Sequence, residues 1–199
     1  GRQIPYPPEK FEEMLMSCWL HDLGKLVTPV SIMNKNTRLW PFQKENILHR
    51  MEVYELESEI MLLKEKISFD EHQEHLARIQ EILAFTERAD TNIISDRMEL
   101  LEKYKEWFFV KEDNQSVPYL EEDEIHQLSV MYRTLTDEEF EIMHDHVVHT
   151  DALLAQLKFP SDMTHVRKWA SMHHELLNGK GYPKHLKEDE IPEEVRILT

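Results

Sequence analysis

Cysteine occurs once in the 199 residues, at Cys18, and glycine only four times. A lone cysteine excludes an intrachain disulfide and permits a reducing compartment. Cys18 itself reads as a small side chain buried on a helix face. No apolar run approaches the roughly 18–20 residues of a membrane span, and the opening GRQIPYPPEK is not an apolar signal segment. The expectation is a cytoplasmic chain without a membrane span. Positive charge is scarce as well: 23 Lys and Arg stand against 39 Asp and Glu. The deficit is concentrated, since residues 45–125 hold 9 basic against 22 acidic side chains, a net of −13, which leaves 14 against 17, or −3, elsewhere. Such a chain lacks the broad basic face that DNA binding uses. A small anionic ligand remains compatible if metal ions provide the positive field.

What is present is enough for a packed core: 41% hydrophobic and 31% charged residues suit one globular domain, with or without an appendage. Three of the four glycines lie at Gly24, just after a His-Asp pair, and at Gly179 and Gly181, just after a His-His pair. So few breakers elsewhere predict an all-α chain, with helices near 9–22, 45–67, 72–88, 137–157 and 162–176 and no sheet beyond a stray bridge. Phe11, Met14, Leu15, Cys18 and Trp19 form an apolar stripe leading to His21-Asp22. Thr136-Asp-Glu-Glu139 has the capping-box pattern, and Phe140, Met143, Val147, Leu154 and Leu157 follow at helical spacing. In the middle, Ile47, Met51, Tyr54, Ile60, Leu63 and Ile67, then Leu76, Ile79 and Leu83, give two amphipathic stretches separated by Ser68-Phe-Asp-Glu71. They read as an antiparallel helical hairpin, the alternative being a coiled coil with a second subunit.

Twelve histidines are many for this length. His21-Asp22 and His173-His174 both end apolar helices, where an uncompensated polar cluster costs several kcal/mol. A divalent metal would compensate it, and imidazole with carboxylate suits zinc, iron, manganese or nickel better than calcium. His173 continues the stripe of Trp169 and Ala170, and His146 shares a helix flank with Ile142, His149 and Leu153. Taken alone, the His-Asp pair reads more readily as a surface or N-cap pair and the His-His pair as a solvated one. His144 and His149 read as helix-surface residues, and His49, His72, His75, His126, His165 and His185 as non-ligands.

The order of the pieces carries more than any one of them. His21-Asp-Leu-Gly-Lys25, Leu135-Thr-x-Glu-Glu with His146, His173-His-Glu175, Gly179-Lys-Gly-Tyr-Pro183, Ile191-Pro and Arg196-Ile-Leu together resemble the HD-GYP family. The resemblance covers residues 10–39 and 133–199. Lys35-Asn-Thr-Arg-Leu39 and His146-Val-Val-His-Thr150 resemble the branch in which a helical arm, here 40–132, interrupts the domain. The family implies an HD-type helical bundle over 1–199 holding two or three divalent transition-metal ions, frequently iron or manganese, that hydrolyses cyclic di-GMP through a metal-bridging hydroxide. Carried across by motif, His21, Asp22, His146, His173 and His174 would be metal ligands, with Asp22 bridging. Lys25 would contact the scissile phosphate, and Gly179, Gly181, Tyr182 and Pro183 would shape the substrate loop. Such members often carry sensory or regulatory domains outside this segment, and a homodimer is compatible with the arm.

Departures from the family pattern are specific. An upstream His or Glu ligand and a downstream Asp ligand are absent, so the domain reads as lacking both ends. Asn178 stands where aspartate is usual, and Leu176 where arginine is frequent. The second reading is therefore a degenerate domain that binds a ligand or partner without turnover. A third is another hydrolase of the HD superfamily acting on nucleotides, which the Gly-Tyr-Pro loop disfavours.

Overall fold

A computed structural model describes residues 7–91 and 95–199. The first six residues of the opening segment lie outside it. The chain is mostly helical, as expected, and divides into two compact units. One is formed by the residues up to Asn34 together with Asp137–Thr199, the other by Lys35–Thr136. No helix among the described residues is long and apolar enough to cross a membrane.

In the first unit α1 (Pro8–Leu20) leads into a 3-10 turn (Leu23–Val27) and the short α2 (Val30–Met33). After the second unit come α7 (Asp137–His144), α8 (His146–Leu154), α9 (Val166–Ala170) and α10 (Glu193–Leu198). Trp169, Met172, Ile191 and Val195 form its core, with Met14, Leu186 and Leu198 against them. Apart from Met14, the apolar stripe of α1 does not face that core. Phe11, Leu15, Cys18 and Trp19 are exposed, while Glu13 and Ser17 are buried. The reason lies in Glu13, whose carboxylate accepts both the main-chain N–H and the ring nitrogen of His165 at the start of α9. That polar pin turns the 13–17 face of α1 inward, and a buried carboxylate must have such partners.

The helices expected at 137–157 and 162–176 are also shorter than periodicity suggests. The first is broken at Asp145, and the second is helical only over Val166–Ala170, followed by turns. Both interruptions fall where side chains take helix carbonyls. The His146 ring bonds the Met143 carbonyl, the Ser171 hydroxyl bonds that of Arg167, and the His173 ring bonds that of Ala170.

The second unit contains the hairpin: α3 (Pro41–Leu63) and α4 (Phe69–Thr91) pack on each other within the one chain. The buried side of α3 runs Ile47, Met51, Tyr54, Ser58 and Met61, so its spacing is three and four throughout. Ile60 and Leu63, expected on this stripe, are exposed instead. The 4-3-4-3 spacing passes through a serine whose hydroxyl bonds the His72 ring of α4 at 2.8 Å, which a purely apolar pattern overlooks. Three further elements were not foreseen: α5 (Arg97–Lys105), α6 (Glu122–Leu128), and an antiparallel pair of β1 (Phe108–Val110) with β2 (Ser116–Pro118) in register Phe109 opposite Val117. The expectation of no sheet is thus corrected: the tight Glu112–Gln115 turn closes a real hairpin, and Phe109 plugs the core beside Tyr54 and Tyr119.

Arg38, from the Lys35–Leu39 motif, is almost fully buried. It donates to the carbonyls of Ala89, Asp90, Val130 and Met131. It therefore satisfies the C-terminal carbonyls of α4, which lack intrahelical partners.

Candidate metal centre

Three histidine rings are held by the same local device. His21 donates its Nδ1–H to the carbonyl of Cys18 at 2.5 Å, His146 to Met143 at 2.5 Å, and His173 to Ala170 at 2.7 Å. In each case the acceptor lies three residues back, in the last turn of a helix, where carbonyls lack intrahelical partners. A carbonyl accepts and never donates, so each Nδ1 carries a proton, and a neutral ring held this way presents its lone pair at Nε2. This is the outer hydrogen bond that orients a metal-ligating histidine.

The lone pairs converge. His146 Nε2 and His173 Nε2 are 3.4 Å apart, the spacing of two donors whose bonds to one ion are about 2.0–2.1 Å. Asp22 Oδ1 lies 3.5 Å from His146 Nε2 and 3.7 Å from His173 Nε2, and His21 Nε2 lies 3.1 Å from Asp22 Oδ2. With its ring neutral and Nδ1 protonated, His173 cannot donate through Nε2 to the carboxylate. Asp22 Oδ1 is accordingly buried without a hydrogen-bond donor. Two overlapping donor groups result, His146 with His173 and His174, and His21 with Asp22 and His173, each with its ligand atoms within 4.8 Å of one another. Acceptors facing acceptors are relieved by a cation, and this set could hold a divalent metal ion.

The protonation states agree. Burial pushes the imidazoles of His173 and His174 down to about 4, so both are neutral near pH 7. For Asp22 burial acts to raise the carboxyl, but the Lys25 hydrogen bond and the adjacent His21 outweigh it and hold the group below its ordinary range. Lys25 Nζ donates to Asp22 Oδ2 at 2.9 Å, which leaves Oδ1 for the site.

Backbone contacts fix the parts to each other. A Cβ at Gly24 would lie 1.8 Å from the His146 carbonyl oxygen, so only glycine lets the 3-10 turn approach α8. Thr150 closes the contact: it accepts the Gly24 N–H at 2.9 Å and donates to the His21 carbonyl at 3.0 Å. On the other side, Gly181 packs so tightly on His174 to Leu176 that a Cβ would lie 2.2 Å from the Leu176 nitrogen. Gly179 has φ +73, a left-handed conformation that favours glycine.

Tyr182 is stacked between two imidazoles, with centroids 4.7 Å from His174 and 3.8 Å from His144. Its N–H donates to the His174 carbonyl at 3.1 Å, and burial, with Asp22 nearby, pushes its phenol up to about 12. Pro183 and Tyr182 border a groove of about 400 Å³ together with His144, Asp145, Lys180 and His185. The motif residues His21, Asp22, Lys25, His146, His173, His174 and the Gly179–Pro183 loop are therefore gathered in one place.

Sequence reasoning gave three residues here no role in the site. His144 is not a plain surface histidine, since it stacks on Tyr182. Thr150 ties the two halves of the site. Glu175, buried, accepts the N–H groups of Lys184 at 2.6 Å and Leu186 at 2.8 Å and so anchors the loop. The only available signal was its place directly after the His-His pair. Asn178, the departure from aspartate, accepts the Lys180 N–H at 2.9 Å, a turn bond that either residue makes. Of the remaining histidines, His72 bonds Ser58 and His75 bonds Tyr119, both in the second unit. His165 is engaged by Glu13.

A helical fold with clustered imidazoles and one carboxylate suits a divalent metal ion. The family model described as "HD domain" matches residues 122–199, a stretch that includes His146, His173 and His174. HD domains are metal-dependent phosphohydrolases, and the match supports that activity class for this chain. His21, Asp22 and Lys25 lie outside the matched stretch and reach it through the tertiary structure. No curated protein and no solved structure matches the chain.

Proposed function

We propose that this chain is a metal-dependent phosphodiesterase of the HD-GYP type that hydrolyses a cyclic dinucleotide, cyclic di-GMP foremost. The observation that carries the proposal is the convergence of the His146 and His173 ring nitrogens on the donorless Asp22 Oδ1, with His21 and Lys25 beside Oδ2 and Tyr182 of the Gly179–Pro183 loop stacked on His174. His21, His146 and His173 through Nε2, together with His174, would hold two or three ions, iron or manganese, and Asp22 would link them. Divalent ions held there supply the Lewis acid that neutralises phosphodiester oxygens and acidifies water. The chain's own residues do the rest. Three ring orientations are locked by main-chain carbonyls, so the ligands are placed before substrate arrives. Lys25 steadies Asp22 through Oδ2 and offers its ammonium to a phosphate. Tyr182 and Pro183 wall the groove in which the body of a dinucleotide lies. Residues 40–132 act as an arm inserted in this domain, and sensory or regulatory domains would act on it in a cytoplasmic setting.

Metal analysis of protein purified without oxygen, paired with turnover of a panel of cyclic dinucleotides and of mononucleotides, tests the reading. The expected result is chelator-sensitive linearisation of cyclic di-GMP. Turnover of mononucleotides alone would assign the site to another HD-type hydrolase. Cyclic-dinucleotide binding by metal-loaded protein without turnover would assign it to the degenerate class.

A further inference from the structure

The helix α3 has a second ordered face that no described residue covers. At 100° per residue, the side opposite the buried Ile47–Met61 stripe carries its own unbroken 4-3-4-3 repeat from Phe42 to Leu63. Asn46, Val53 and Ile60 occupy one position of this heptad, and Phe42, His49, Leu56 and Leu63 the other. All seven are exposed, with Val53 at 37% and Leu63 at 77%. Solvent-facing residues of a hairpin have no reason to keep a heptad of large apolar side chains, and three turns of such a face favour association.

We propose that this face of α3 is a homodimer interface, pairing with the same face of a second copy as a parallel two-stranded coiled coil. The residue types choose this occupant. Valine and isoleucine at the a position with leucine at d favour two parallel strands, and one asparagine at a fixes register. Charge chooses the orientation. Glu45, Glu52 and Glu59 flank the seam on one side, and Arg50, Glu57 and Lys64 on the other. An antiparallel pair would lay the first row against itself, glutamate on glutamate. A parallel pair instead sets Glu59 toward the exposed Lys64 of the other copy, a residue that also pairs with Glu112 of its own chain, against one unfavourable pair, Glu52 and Glu57. Arg50, opposite Glu45, is held by Glu124 within its own chain. The apolar positions cluster in the second half, Val53 to Leu63, so the tightest contacts belong there.

Sedimentation equilibrium of the full 199-residue chain over a concentration series reads the mass. Twice the chain mass is expected at the high end, and the monomer mass over the whole range for Leu56→Glu/Ile60→Glu, with an unchanged helical spectrum because both side chains are exposed. A disulfide experiment reads orientation. In a Cys18→Ser background, Leu63→Cys brings two thiols together only in the parallel pair, because an antiparallel pair puts them at opposite ends. A covalent dimer under mild oxidation supports the proposal. A chain that stays monomeric up to millimolar concentration overturns it, as does a dimer that survives Leu56→Glu/Ile60→Glu or one that fails to crosslink through position 63.

Discussion

The main-chain N–H of Gly24 donates to the hydroxyl of Thr150 at 2.9 Å, across 126 positions of sequence, and the same hydroxyl donates to the carbonyl of His21. Through this one fully buried side chain the His21-Asp22 turn is bolted to the helix that carries His146. Gly24→Ala drives a methyl into the His146 carbonyl. Overpacking of this kind costs about 1–3 kcal/mol where neighbours can yield, and backbone yields least. The expected result is a loss of at least that size in urea unfolding, with weaker metal uptake. Thr150→Val keeps the shape but leaves the Gly24 N–H unsatisfied, at about 1–3 kcal/mol. Equal stability of either variant to the parent would contradict the bolt.

Asp22 and Lys25 should separate in their effects. Asp22→Ala removes the carboxylate that joins the two donor groups, so metal content falls and turnover becomes nearly undetectable. Lys25→Ala leaves every Nε2 in place. Metal content should hold, while loss of one electrostatic stabiliser lowers the rate by about a hundred- to a thousandfold. Elemental analysis and initial rates on the same preparations decide it, and an Asp22→Ala protein with full metal and half the parent rate would remove Asp22 from its role.

The depressed imidazoles set a pH dependence for the metal-free protein. His173 and His174 titrate near 4 in the folded chain but near the ordinary 6.5 when unfolded. Between about pH 6.5 and pH 4 the unfolded state therefore binds protons that the folded state refuses, and stability must fall as pH falls through this window. Their contribution is fully present above the unfolded value. Thermal midpoints of metal-free protein should decline across the window, and His173→Ala should flatten the decline. An identical slope in the variant would contradict the assignment.

Glu175 makes a prediction that leaves the ligands alone. Glu175→Gln replaces one of two buried acceptors by an N–H donor facing a main-chain N–H, which costs about 1–3 kcal/mol. The Lys184–Leu186 segment should loosen, and Tyr182 should leave its stack on His174. Faster tryptic cleavage after Lys180 and Lys184, with metal content retained, is the expected signature. Unchanged cleavage would mean that the loop is held elsewhere.

Much of the site could be read along the chain, because its chemistry sits in adjacent pairs and short runs. His21-Asp22, His173-His174 and the Gly179–Pro183 turn are local, and glycine scarcity already implied a helical fold. His146 was legible only through its order between the other motifs. Glu175 and Thr150 stood inside motif runs, but their roles were not legible, since a buried acceptor and a hydroxyl with two main-chain partners look in sequence like any polar residue.

Periodicity determined that α1 and α3 are helices, but it could not say which face of each is buried. Phe11, Leu15 and Trp19 make the more apolar face of α1, yet the Glu13–His165 contact turns the other side inward. In α3 both faces are apolar enough, and packing on α4 selected Ile47 to Met61. The ring tautomers likewise depend on where helices end, for only an unpartnered carbonyl three residues back can take the Nδ1 proton of His21, His146 and His173. Residue types and their order thus determined which groups exist to bind a cation. Helix ends, glycine contacts and a buried threonine, all properties of the folded chain, decided that their lone pairs meet.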